Sequence, residues 1–155
     1  MRRVDKEIIN NKEINKIINT SNYCNLAIAK NNIPYCVPMN FGYHNRYIYL
    51  HSAPKGFKID ILKENPQVCI VIVRDAQLVK AENKCISSMK FNSVIITGKA
   101  DFLWKEKERK EALGHIVKHY YKDFQNDDSI FAGSAPDELA IIRVTIEKIS
   151  GKKSR

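Results

Sequence analysis

Several signatures are missing from this chain of 155 residues. It has no Gly-x-Gly-x-x-Gly and no Gly-x-x-x-x-Gly-Lys-Ser/Thr, so neither common phosphate-binding loop is present. Its four cysteines, Cys24, Cys36, Cys69 and Cys85, form no Cys-x-x-Cys, which argues against a zinc ribbon or a thioredoxin-type centre. They are expected as small apolar residues, mostly in strands, in a reducing compartment. Ser87 and Ser88 lack the Gly-x-Ser-x-Gly setting of a hydrolase nucleophile. The apolar run that ends at Val73 is far too short to cross a bilayer. Arg2 and Arg3 are not followed by the apolar segment of a signal peptide. A cytoplasmic protein with no membrane partner is expected.

What is present is the composition of a folded domain, with 44% hydrophobic and 28% charged residues. The length suits a single domain over residues 1–155, and leaves no room for a dinucleotide-binding domain plus a second substrate domain. Twenty-six Lys and Arg against 17 Asp and Glu give a net charge of +9. Five of the cations, Arg2, Arg3, Lys152, Lys153 and Arg155, sit at the chain ends, and the rest alternate with acids. That is a solubilising surface, with no concentrated footprint for nucleic acid.

Periodicity predicts a helix from Asn10 to about Thr20, where Asn10 and Glu13 have capping-box spacing and Ile14, Ile17 and Ile18 share a face. Strands are expected over 22–30, 33–40 and 46–51, with turns at Asn31-Asn32 and over 41–45. Pro54 suits a first helical turn, so a short helix is expected over 54–65, stopped by Pro66. Residues 67–74 read as a central strand, 75–83 as a polar connection, and 85–103 as a long strand bulged or bent at Gly98. A helix over 105–121, a loop over 125–137 and a strand over 139–149 complete the chain. The fold class is mainly β (α+β): a barrel or closed sheet of about six antiparallel strands with peripheral helices.

Two stretches carry chemistry. In the first, a strand ending at His51 and Ser52 is followed at once by a helix bearing Lys55 and Lys58. Free N–H groups at a helix start, a hydroxyl and an ammonium group suit a phosphate, although an ordinary helix cap with solvated lysines reads the same. In the second, Val37, Pro38, Met39 and Asn40 close a strand whose Pro38 removes a ladder donor, as on an edge or against a ligand. His115 and His119 are four apart with no acid in the His-Glu-x-x-His pattern, so surface or interface histidines are expected and no metal site. Trp104, Tyr120 and Tyr121 are expected as core or dimer contacts.

The chain resembles the nitroimidazole-resistance family of pyridoxamine-phosphate-oxidase-like flavoproteins. The likeness runs in order through Pro34-Tyr35, Val37 to Tyr43, Tyr49 to Ala53, Gly56, Lys58 to Asp60, Asn65-Pro66, Ser88 to Phe91, Ser93 to Ile95, Gly98 to Ala100 and Arg143-Val144. This resemblance implies an FMN-binding split β-barrel working as a homodimer with FMN at the subunit interface. It assigns Ser52 and Lys58 to the cofactor phosphate and His51 to a place beside the flavin, where it is the candidate catalytic residue. It lays Val37, Pro38, Met39 and Asn40 along the flavin ring, and brings Lys90 and Ser93 to the cofactor from the partner subunit.

The implied activity is that of an FMN-dependent oxidoreductase reducing a small planar acceptor such as a 5-nitroimidazole, with NAD(P)H as a possible donor. A non-catalytic FMN-binding protein, serving as store, sensor or electron carrier, would carry the same cofactor residues. The chain ends in Glu147 to Arg155 without the Arg- and Trp-bearing segment of the vitamin B6 oxidases, so that substrate is not expected.

Overall fold

The structure is a computed structural model and describes residues 3–124 and 138–154. The expected loop over 125–137 lies outside the described residues. Eight strands form one antiparallel sheet: β1 (Glu7–Ile8), β2 (Cys24–Lys30), β3 (Ile33–Met39), β4 (Phe41–His44), β5 (Tyr47–Ser52), β6 (Gln67–Val79), β7 (Ser88–Phe102) and β8 (Ala140–Ser154). Their order is β3-β2-β6-β7-β8-β5-β4, with β1 paired to β8. The two ends of that order, β3 and β4, are successive stretches of chain with only Asn40 between them. The sheet therefore curls round on itself into the split barrel.

Alternation along the strands fills this barrel. Leu26 and Ile28 of β2, Ile48 and Leu50 of β5, Ile70 and Ile72 of β6, Val94 and Ile96 of β7, and Ile142 and Val144 of β8 are all buried in one core. Each such side chain contributes about 1.5–3 kcal/mol, so the core dominates the stability.

Three helices lie on the sheet: α1 (Asn11–Asn19), α2 (Phe57–Glu64) and α3 (Glu106–Tyr120). Asn10 caps α1 by accepting from the Lys12 amide. Glu13 instead takes Lys153 Nζ at 2.8 and 3.0 Å, tying α1 to the end of β8. Helix α3 crosses β4 so closely that a Cβ on Gly42 would stand 2.6 Å from the His115 carbonyl carbon. Tyr120 clamps the crossing: its hydroxyl accepts from the Phe41 amide at 3.1 Å and donates to the Asn22 carbonyl at 2.9 Å.

Four expectations are corrected. Residues 41–44 are a strand, and the turn is the pair Asn45-Arg46, whose φ values are +46° and +65°. Residues 75–79 extend β6 past a bulge between Arg74 and Gln77, where Asp75 has φ +55°. Helix α2 begins at Phe57 rather than at Pro54, because Gly56, at φ +123°, turns the chain into it. Cys85 lies in a short 3-10 turn, while Cys24, Cys36 and Cys69 are in strands as expected.

Candidate functional site

Register brings the two singled-out stretches together. The hairpin β4–β5 is paired from His44 and Tyr47 back to Phe41 and Leu50. Asn40 and His51 are the next residues on the two strands, so the end of β3 and the end of β5 meet at one rim of the barrel. Val37 and Met39 turn toward the core, while Pro38 and Asn40 are exposed. β3 is the end strand of the order, which explains how Pro38 is accommodated.

Ser52 is the last residue of β5 and faces inward like Leu50, at 7% exposure. Among the described residues its hydroxyl is the one buried side-chain polar atom without a hydrogen-bond partner. Such an orphan costs about 1–3 kcal/mol, so a folded chain that keeps one has a use for it. Four residues on, Gly56 precedes α2 and offers no side chain to cap it. The Phe57 and Lys58 amides begin α2 and have no acceptor within the helix. A Cβ on Gly56 would meet no heavy atom within 4 Å, so the space before the helix is open. An oxyanion fits this set: an unpaired hydroxyl, helix N–H groups and the half-buried Lys58.

His51 lies on the opposite face of β5 from Ser52, half-buried and paired with Ile141 of β8. Desolvation pushes its pKa below the ordinary 6.5, and the Lys58 charge pushes it further the same way. It is therefore neutral at pH 7 and can both accept and donate a proton. Lys90 and Ser93 are not brought to this rim. Ser93 pairs with Lys152, whereas Ile142 of β8 sits beside the rim, ten residues and about 30 Å back along the strand. Within one chain, Lys90 instead lines a cleft with Asp75, Asn92 and Lys153.

Two features went unread in the sequence. His44 and His115 stack with ring centroids 4.2 Å apart and 13° between planes, and Tyr49 lies 5.1 Å beyond His115. Arg109, seemingly one more charge in a mixed run, is buried and donates to the Leu103 and Leu139 carbonyls. Trp104 and Tyr121, expected as core or dimer contacts, stand exposed on the chain at 77% and 69%. Among the described residues no cluster of three metal-ligating side chains occurs, and no helix is long and apolar enough to cross a membrane.

Three histidines share one direction of shift. Desolvation is the largest cause of the lowered pKa at His51, His115 and His119; second come Lys58 at His51 and His44 at His115. His119 is opposed by its bond to the Ser21 carbonyl, 2.7 Å from Nε2. With folded pKa values below 6.5, the unfolded chain binds more protons as the pH drops through that value. Stability should thus be full above pH ~7 and fall below ~6.5, and urea midpoints compared at about pH 7.5 and 6.0 would measure the loss.

Comparison with known proteins follows the same outline. Residues 10–153 match the family model for pyridoxamine 5'-phosphate oxidase. A solved protein of Bacteroides thetaiotaomicron, put forward as a 5-nitroimidazole antibiotic resistance protein, is 35% identical over 95% of this chain and 86% of its own, with a TM-score of 0.79. The flavocytochrome Anf3 of Azotobacter vinelandii is 18% identical, covering 100% of this chain and 72% of its own at a TM-score of 0.81. An FAD-binding protein of Mesorhizobium loti is 23% identical, covering 95% and 96% at 0.67. At these lower identities the likeness is one of fold. An uncharacterised protein of Rhizobium meliloti (strain 1021) is 26% identical over 92 residues, 59% of this chain and 54% of that relative. The match thus spans about half of the curated relative's length.

Proposed function

The chain belongs to the pyridoxamine 5'-phosphate oxidase family, and from that premise we propose that it is a cytosolic FMN-dependent oxidoreductase that reduces small planar acceptors of the nitro-compound kind. The observation that carries the cofactor is the buried, unpartnered Ser52 hydroxyl at the start of an uncapped helix. The flavin-related names among the relatives support the same reading.

Bound there, FMN would supply the electron transfer that no side chain of the protein can perform. The protein's part is to hold and shield it. Ser52 and Lys58 bind the phosphate, the hydroxyl as donor and the ammonium as counter-charge. Backbone groups of Val37 to Asn40, on the end strand, would offer donors and acceptors to the flavin ring. His51, neutral at pH 7, would be the group able to take up or give a proton there.

The reading includes a homodimer. The outer face of β6 and β7 leaves Val73 and Ile95 nearly half exposed, and Val73 is paired with Ser93. An apolar strip of this kind fits a second copy of the chain, whose arrival would carry its Lys90 and Ser93 toward the first copy's rim.

The test is an absorbance spectrum from 300 to 600 nm after gel filtration with FMN, followed by NADPH and then a 5-nitroimidazole. Retained flavin bands that bleach and return support the oxidoreductase. Bands that neither donor nor acceptor alters would leave a store, sensor or carrier, and no retained flavin would sink the reading. Lys58→Ala should weaken FMN binding by about 1–3 kcal/mol through the lost charge-assisted contact, as measured by quenching of flavin fluorescence.

A further inference from the structure

At the far end of β4 from the rim lies a cavity of about 270 Å³, between that strand, the end of α3 and Asn19 of α1. His44 closes β4 there, four residues beyond Asn40, or about 13 Å along a strand. The cavity is therefore separate from the site built on Ser52.

Its wall is basic. His44, His115, Lys118 and Lys122 line it, and among the described residues no Asp or Glu does. Toward the start of α3, Lys105 and Lys110 each face a glutamate, at 3.9 and 2.9 Å. Among the described residues neither Lys118 nor Lys122 forms such a pair. The helix ends explain one of the two. Lys122 Nζ donates to the Asn19 and His119 carbonyls at 3.3 and 2.7 Å, and so neutralises the ends of α1 and α3 together. They do not explain Lys118, or the stacked pair His44 and His115, which find no acceptor among the described residues. A metal ion does not suit the pair. Ring planes only 13° from parallel do not converge on one point, and two ammonium groups in the same wall repel a cation.

We propose that this cavity binds a small, multiply charged oxyanion, an organic phosphate or a polycarboxylate. Lys118 and the ring N–H groups of His44 and His115 hold it. At ~30 Å³ per water the space equals about nine waters, more than a lone inorganic phosphate fills. The anion supplies the counter-charge that the wall lacks. Glu111 and Lys118 of α3, His44 of β4 and the Tyr49 ring of β5 face His115; Glu111 is the one carboxylate, and it does not line the cavity. His44 faces His115 and, across the hairpin, Tyr47. A bound anion favours the imidazolium forms, so it binds more tightly as the pH drops through 6.5.

The experiment titrates pyrophosphate and citrate into the purified protein at about pH 7.5 and 6.0, with sodium chloride at matched ionic strength as control. Calorimetry measures affinity, and the imidazole NMR signals of His44 and His115 report the place. Saturable binding, tighter at the lower pH, should move both signals. The tighter of the two probes shows whether phosphate or carboxylate groups are preferred. Lys118 is exposed, so Lys118→Gln leaves the packing intact; it should weaken binding roughly tenfold. Lys107→Gln removes the same charge from the first turns of α3 and should change nothing. Lys58→Ala should also leave the imidazole response unchanged.

No saturable binding, equal affinity at both pH values, or equal weakening by Lys107→Gln and Lys118→Gln would overturn the proposal. Binding that leaves both imidazole signals in place and disappears in Lys58→Ala would overturn it too, and would put the anion at the Ser52 rim. Flavin binding is a separate measurement, and none of these results decides it.

Discussion

Ser52→Ala should stabilise the cofactor-free protein and at the same time weaken its hold on flavin. The two effects have one cause. In the free chain Ser52 is 7% exposed, and its buried hydroxyl hydrogen-bonds to nothing. Removing it deletes an unsatisfied group worth about 1–2 kcal/mol, and alanine fills nearly the same space. In the proposed flavin complex the same hydroxyl would donate to a phosphate, a charge-assisted bond worth about 1.5–3 kcal/mol.

Urea unfolding of the apo protein should therefore shift to a higher midpoint, while FMN affinity drops roughly tenfold or more. A hydroxyl with a purely structural role would give the opposite first result, a lower midpoint with unchanged affinity. Cysteine at the same position is a second probe. It keeps the volume but is a poor donor, so it should follow alanine in binding.

How much of this was legible depends on what held each element in place. The central strands were read well over their inner stretch because one face of each is buried: β6 through Ile70 and Ile72, and β8 through Ile142 and Val144. Where the rule is packing on one face, alternation in the sequence carries it. The misreadings fall where another force decides. Phe41 to His44 looked like a turn because Gly42 breaks the pattern, yet that glycine is demanded by the backbone of α3 lying against it. Residues 75–79 looked like a loop because they open a stretch, Asp75 to Asn83, in which polar residues outnumber apolar ones. They extend a two-stranded arm exposed to water, where a strand needs no apolar face.

The site divides in the same way. The proximity of Asn40 to His51 follows from the register of the β4–β5 hairpin, which periodicity had as a turn, so these residues were grouped through the family resemblance alone. The distance from Ser93 to that rim is set by the length of β8, ten residues of strand, which no motif expresses. Only a second subunit, inferred from the family and from the exposed apolar strip, would bring the two together.

The steepest loss of stability among glycine-to-alanine substitutions should come from Gly98→Ala. At this position the ladder between β7 and β8 slips: Thr97 faces Lys148 while Gly98 faces Ile146. An added Cβ would stand 2.1 Å from the Thr145 carbonyl oxygen and 3.0 Å from its carbon. Those are backbone atoms of a strand held on both sides, since Thr145 also pairs with Tyr47 of β5. Neither neighbour can give way without breaking a ladder, so the cost should reach about 3 kcal/mol or more.

Gly56→Ala is the contrast: no atom obstructs its Cβ, and only the positive φ opposes it, at about 1–2 kcal/mol. Urea titrations of the two variants would rank them. The site should register the difference as well. β8 passes from the slip at Ile146 to Ile141 and Ala140, the partners of His51 and Ser52. A shift of register at Gly98 should therefore pass along that strand to the rim that holds Ser52. Gly98→Ala should accordingly lose flavin affinity even under conditions where it remains folded. An affinity equal to that of the wild type would show that the β5–β8 pairing holds the rim independently of the bulge.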